Sequence, residues 1–151
     1  MLLEDEIRQK SFKNEQEKGI VNMIYTYNWM DSQMKVYFKN YDLTPQQFNI
    51  LRILRGQYPK PCSVITLRER MLDKMSDASR IVERLRIKNL IIRNVSQHDR
   101  RSVDIVISEA GLEKLESIDQ NLDSVQKEVF SNLDKEEIKI LNQLLDKMRG
   151  S

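Results

Sequence analysis

Apolar residues recur at intervals of three and four along most of this 151-residue chain and alternate over one stretch only, between residues 90 and 107. The first helical stretch covers about residues 14–40. Ile20, Ile24, Tyr27, Met34, Tyr37 and Phe38 keep helical spacing there, with Val21, Tyr25 and Trp29 beside them. A band this wide and aromatic predicts contact with more than one partner element. A short helical break inside this segment is allowed for. Residues 1 to 13 before it are mixed and polar and are expected to fray. Asn40-Tyr41-Asp42 reads as a break.

Thr44-Pro45-Gln46-Gln47 is a helix start. Thr44 can cap, proline suits the first helical position, and Gln47 can close a capping box. Phe48, Leu51 and Leu54, with Ile50 and Ile53 beside them, predict a core helix ending near Gly56. Two prolines, Pro59 and Pro61, break the chain before the next helix. Ser63 can cap a short helix from Val64 to about Leu72, with Ile65, Leu67 and Met71 expected buried or half-buried. A second helix is predicted from Met75 to Lys88. At about 100° per residue, Ala78, Ile81, Val82, Leu85 and Asn89 share its inner face, while Ser76, Arg80, Glu83 and Ile87 point outward.

The period then falls to two. Leu90 to Val95 and Ser102 to Ile107 read as the strands of a hairpin, with the polar tip Ser96-Gln97-His98-Asp99-Arg100-Arg101 between them. Ser108 can cap a long helix striped by Leu112, Leu115, Ile118, Leu122, Val125 and Val129. Leu133, Asp134 and Glu137 form a staple and capping box for a last helix, striped by Ile138, Leu141, Leu144, Leu145 and Met148.

These elements predict a mainly α (α+β) fold: a winged helix-turn-helix core with a two-stranded wing over residues 43–108. N- and C-terminal dimerisation helices, about 14–40 and 109–149, flank it within a single domain spanning 1–151. The flanking helices carry more apolar surface than so small a core covers. A second copy is the expected partner, and a two-fold pair would set two reading helices about one DNA turn apart.

Composition changes this picture little. The chain is 40% hydrophobic and 32% charged, with no apolar run near the roughly 20 residues of a membrane span. The start, MLLEDEIRQK, is acidic and lacks an apolar signal core, and there is one cysteine. A cytoplasmic location is therefore expected. Charge is more informative than composition. Val64 to Arg101 holds ten Lys/Arg against five Asp/Glu, whereas Glu109 to Arg149 holds six against ten. The positive excess falls on the predicted reading unit, as phosphate binding requires.

The candidate chemistry is DNA contact. Arg80 would meet a guanine edge or a phosphate, and Ser76 and Ser79 would bond phosphates or base edges. Lys74 and Arg84 extend this cationic surface, Arg84 and Arg86 as phosphate contacts rather than base readers. Asp77 has two readings: acceptor for a cytosine amino group or support for Arg80, against a first-turn acid that favours the helix dipole. Arg100 and Arg101 would enter the minor groove, with Asp99 holding an arginine by a bidentate pair. His98 could touch phosphate. Tyr25, Trp29, Met30, Tyr37 and Phe38 could line an effector pocket or simply pack a core. Cys62 reads as an inert, half-buried thiol more readily than as a redox sensor. One histidine and one cysteine make no zinc site, and no nucleophile–base constellation or glycine-rich phosphate loop is visible. No cofactor, metal, membrane partner or enzymatic activity is expected.

Three segments resemble the MarR family of bacterial transcriptional regulators. They are LTPQQFNILRIL (Leu43 to Leu54), DKMSDASRIVERLRIKNLI (Asp73 to Ile91) and DRRSVDIVISEAG (Asp99 to Gly111), the last being the most specific. The resemblance spans about Ile20 to Met148. It implies a homodimeric, sequence-specific DNA-binding repressor on a pseudo-palindromic operator, released by a small anionic or phenolic ligand. The alternatives are a winged-helix adaptor that has lost DNA binding, or a redox-responsive regulator using Cys62. Asn89 departs from the family pattern, in which glycine is common.

Overall fold

The computed structural model describes residues 2–150. The chain divides into two compact units, one up to Pro45 and the other from Gln46 onward.

The first unit is helical. The segment expected to fray instead forms a short helix, α1 (Leu3–Glu6). Leu3 is buried, the Lys18 ammonium lies 2.5 Å from the Glu4 carboxylate, and the Tyr25 hydroxyl donates to Glu6 at 3.0 Å. One apolar residue and two polar contacts fasten it, too few to register as a periodic pattern. Helix α2 (Glu15–Lys39) runs without the break that was allowed for. The Asn14 side chain caps it, accepting from the Glu17 N–H at 2.8 Å. Phe38 is buried, but Ile20, Ile24 and Tyr27 are all more than half exposed.

The second unit is a winged helix followed by two long helices. Helix α3 (Pro45–Gln57) starts with proline at its first position, where no N–H is needed. Helix α4 (Val64–Arg70) is capped by Ser63, whose Oγ accepts from the Thr66 N–H at 3.1 Å. Helix α5 (Ala78–Ile87) follows after a turn. Strands β1 (Ile91–Val95) and β2 (Val103–Ile107) pair antiparallel, with Ile91 opposite Ile107 and Val95 opposite Val103. Helix α6 (Glu109–Val129) is capped by Ser108, and α7 (Lys135–Met148) carries the full Asp134–Glu137 capping box.

The core draws on every element of this unit but α7. Ile50, Leu51 and Leu54 of α3, Leu67 of α4, Val82 and Leu85 of α5, Ile105 and Ile107 of β2, and Leu115 and Ile118 of α6 are all essentially inaccessible. Each such side chain contributes roughly 1.5–3 kcal/mol through burial. The Arg55–Asp119 ion pair, at 2.6 Å, ties α3 to α6 at the edge of this core. No residue of α7 is buried; Leu144 and Met148 are about 60% exposed.

Two expectations fail around α4. Ile65 was expected buried or half-buried and is 65% exposed. The helix has only seven residues, and its buried positions fall to Leu67 and, just beyond its end, Met71. Leu72 lies outside the helix and is largely exposed. A contact absent from the sequence pattern compensates. Cys62 pairs with Ile105 as an isolated bridge, its N–H donating to the Ile105 carbonyl at 2.8 Å and its carbonyl accepting at 2.9 Å. Cys62, two residues before the first helix of the pair, thus bridges to the wing strand β2.

Candidate nucleic-acid interface

The helix pair owes its geometry to the turn between α4 and α5. The Asp73 carboxylate organises that turn, accepting from the Met75 N–H and the Ser76 hydroxyl, each at 2.9 Å. These bonds, the Ser76 hydroxyl first, hold its carboxyl below the usual range. Across the turn, the Leu72 N–H donates to the Asn49 side chain of α3 at 2.9 Å.

Helix α5 therefore begins at Ala78, three residues later than expected from periodicity. Lys74, Met75 and Ser76 belong to the turn. The inner face is as predicted: Ala78, Val82 and Leu85 are buried and Ile81 is half-buried. Asn89 is corrected. It lies beyond the helix, exposed, at φ +58°. The Asn89 N–H bonds the Arg86 carbonyl at 2.9 Å and the Leu90 N–H bonds the Leu85 carbonyl at 3.0 Å. That is a Schellman termination, in which asparagine fills the left-handed position that glycine favours.

Of the predicted helix residues, Ser79, Arg80 and Arg84 are exposed on α5. Arg80 and Arg84 are free of ion pairs among the described residues. Lys74 donates to the Glu69 carbonyl and Ser76 to Asp73, so both are engaged in building the turn. Asp77 is the N-cap, its Oδ1 accepting from the Arg80 N–H at 3.1 Å. This matches the first-turn reading of Asp77 and fixes the backbone of the arginine it precedes.

At the wing tip His98, Asp99, Arg100 and Arg101 are all exposed. The expected bidentate pair between Asp99 and an arginine is absent among the described residues. Asp99 instead accepts the backbone N–H of Arg101 at 2.9 Å, while its own carbonyl accepts from Ser102 at 2.9 Å. A short carboxylate closes the tight turn by reaching the amide two residues on, so it directs Arg101 through the main chain. The Ser96 N–H to Ser102 carbonyl bond, at 3.0 Å, closes the strand end below. The guanidinium groups of Arg100 and Arg101 are left free of ion pairs.

One feature of this surface carried only a partial signal. Glu83 takes a bidentate contact from Arg86, at 2.8 and 3.0 Å, and a third from Arg93 of β1, at 3.1 Å. The spacing of Glu83 and Arg86 announces an i,i+3 pair. The participation of Arg93 needs the tertiary fold.

Elsewhere, Tyr25 and Trp29 are partly exposed, Met30 and Tyr37 half-buried, and Phe38 buried. Tyr37 stacks edge-on to Phe38 with ring centroids at 5.2 Å and lies 5.4 Å from the Tyr41 ring. Cys62 is almost wholly buried, and burial pushes its thiol up. That is the opposite of what a peroxide-sensing thiolate requires. Among the described residues, no group of histidine, cysteine and carboxylate side chains is placed to hold a metal, and no helix is long and apolar enough to cross a membrane.

Residues 41–102, the segment that builds α3 to the wing tip, match the model of the MarR family. Over this segment the chain is similar to the MarR family. Its likeness to curated and solved MarR-type proteins extends past the matched segment. The HTH-type transcriptional regulator MhqR of Bacillus subtilis is 25% identical over 122 residues, covering 81% of this chain and 83% of that protein. A MarR-like transcription regulator from Bacillus cereus superposes with TM-score 0.80 at 21% identity, covering 89% of this chain and 96% of the other. A cysteine-to-serine variant of Escherichia coli MarR, complexed with operator DNA, superposes with TM-score 0.81 at 21% identity, covering 92% and 99%. Bordetella bronchiseptica BpsR, whose DNA binding is regulated by 6-hydroxynicotinic acid, gives 0.77 at 22%, covering 88% and 99%. The likeness to these solved structures gives the chain a winged-helix fold, with α4 and α5 as its helix pair and β1–β2 as its wing.

Proposed function

We propose that this chain is a sequence-specific DNA-binding transcriptional regulator that acts as a homodimeric repressor and is released by a small ligand. The observation that carries the reading is a single one. One winged unit presents Ser79, Arg80 and Arg84 on α5 and Arg100 and Arg101 at the wing tip, exposed, with every one of these guanidinium groups free of ion pairs. Arg80 and Ser79 would meet base edges and phosphates in the major groove, and a wing arginine would enter the adjacent minor groove. The E. coli relative complexed with operator DNA supports the same use of the fold.

The homodimer is supported by apolar side chains without cover. Ile20, Ile24 and Tyr27 on α2, and Leu141, Leu144 and Met148 on α7, are exposed in the single chain. A symmetric pair would bury them and present two reading helices to a pseudo-palindromic site. A small aromatic or anionic effector, by analogy with BpsR, would act near Tyr25, Trp29, Met30, Tyr37 and Phe38. Such a regulator works in the cytoplasm and needs no catalytic group.

The test is selection of genomic fragments by the purified protein, followed by gel shift and light scattering on the complex. Enrichment of one inverted repeat bound by two chains is the expected result. A monomer, or fragments without a common sequence, would overturn the reading.

A further inference from the structure

Glu83 is an acid on the outer side of a helix that also carries Arg80, Arg84 and Arg86. It lies one helical turn after Ser79 and Arg80, on the side of α5 away from the core. Its carboxylate is fully used: both oxygens meet Arg86, and Oε2 also meets Arg93. The three side chains are each about 40–50% exposed, so the cluster faces water and adds little to folding stability. Arg86, before Arg93, holds the Glu83 carboxyl below its ordinary range, which favours its charged form. Among the described residues, the arginines of α5 and the hairpin thus fall into two sets. Arg80, Arg84, Arg100 and Arg101 are free, and Arg86 and Arg93 are neutralised inside the protein.

That division matters because non-specific DNA affinity is nearly all phosphate neutralisation. Each further phosphate contact tightens binding to every sequence alike and steepens its salt dependence. We propose that Glu83 is a positioning residue that sets how many DNA phosphates the reading unit neutralises: by clamping Arg86 and Arg93 it withholds two cations from the phosphates and ties the reading helix α5 to the wing strand β1. Contact with DNA is then left to Arg80, Arg84 and the wing tip, whose directions the Asp77 cap and the Asp99 turn fix. This role rests on the DNA-binding reading above.

The test uses the full-length protein, its selected operator and a scrambled duplex of equal length. Glu83→Gln keeps the shape and removes the charge. The expected result is about threefold to tenfold tighter binding to the scrambled duplex, with the slope of log affinity against log salt steeper by about one to two. Operator binding should tighten by a similar factor, leaving the ratio of the two affinities near its wild-type value. In the Arg86→Gln/Arg93→Gln background the same Glu83→Gln change should leave the slope where it was. An unchanged slope in the single variant overturns the proposal. So does steepening that persists without the two arginines, since Glu83 would then merely repel DNA. A second readout needs no DNA: the Glu83 carboxyl, followed by NMR, should titrate higher once both arginines are gone. No change there overturns the clamp, and the proposal with it. A wild type that binds neither duplex, with a normal NMR result, overturns the functional reading and with it this role, but leaves the ion cluster standing.

Discussion

Gly111 is pressed against the backbone of Leu90. A Cβ built on it would overlap the Leu90 carbonyl oxygen and lie 2.7 Å from Cγ1 of Ile107. The same carbonyl accepts from the Ser108 N–H at 3.1 Å, so it is held in place. The first turn of α6 and the base of the wing meet here with no room for a methyl group. In an open helix, Gly→Ala gains about 1 kcal/mol. Here the sign reverses. Gly111→Ala should lower stability by about 1–3 kcal/mol, read as a shift of the urea midpoint.

Asp77 separates two roles through one pair of variants. Asp77→Ala removes the acceptor for the Arg80 N–H and should cost about 1 kcal/mol of stability. Asp77→Asn keeps an acceptor and should retain both the melting temperature and the selected operator. A changed base preference in the asparagine variant would show that the carboxylate itself reads DNA.

Asn89 holds φ +58° at the end of α5. Glycine carries no steric penalty there, whereas alanine pays for its Cβ. Asn89→Gly should hold or raise stability by up to about 1 kcal/mol, and Asn89→Ala should lower it by about 1 kcal/mol. Thermal denaturation of the three proteins side by side is sufficient.

Cys62 gives a pH dependence. Burial raises its thiol above the ordinary 9.0, so the folded state favours the neutral form. The contribution is complete below that ordinary value and is lost as pH rises through it toward the folded one. The stability advantage of wild type over Cys62→Ala should therefore be flat at neutral pH and shrink above about pH 9. The native thiol should also resist alkylation at neutral pH and react on unfolding.

Arg101→Ala should weaken operator binding and make the salt dependence shallower by about one phosphate equivalent. Asp99→Ala should weaken binding too, because the Arg101 amide loses its acceptor and the turn loosens. Affinity unchanged across a salt series in both variants would remove the wing from the interface.

Local chemistry was legible without coordinates. The caps at Ser63, Ser108 and Asp134, proline at the start of α3, the buried stripe Leu115, Ile118 and Leu122, and the hairpin at residues 91–107 all involve neighbours within about one helical turn or one strand pair. The start of α5 was misplaced because periodicity extends through Met75 and Ser76. The Asp73 side chain competes for the same backbone and wins the turn.

The amino-acid sequence by itself determined the helix and strand order from α2 onward, the positive charge of the reading unit and the identity of the exposed arginines. These follow from period, cap chemistry and composition, which act over a few residues. Only the tertiary structure decided which cations remain free. Arg93 reaches Glu83 across ten positions, Cys62 pairs with Ile105 across more than forty, and Gly111 meets Leu90 between a helix and a strand base. Those contacts depend on how elements pack, and no spacing along the chain specifies the approach of one backbone or guanidinium to another.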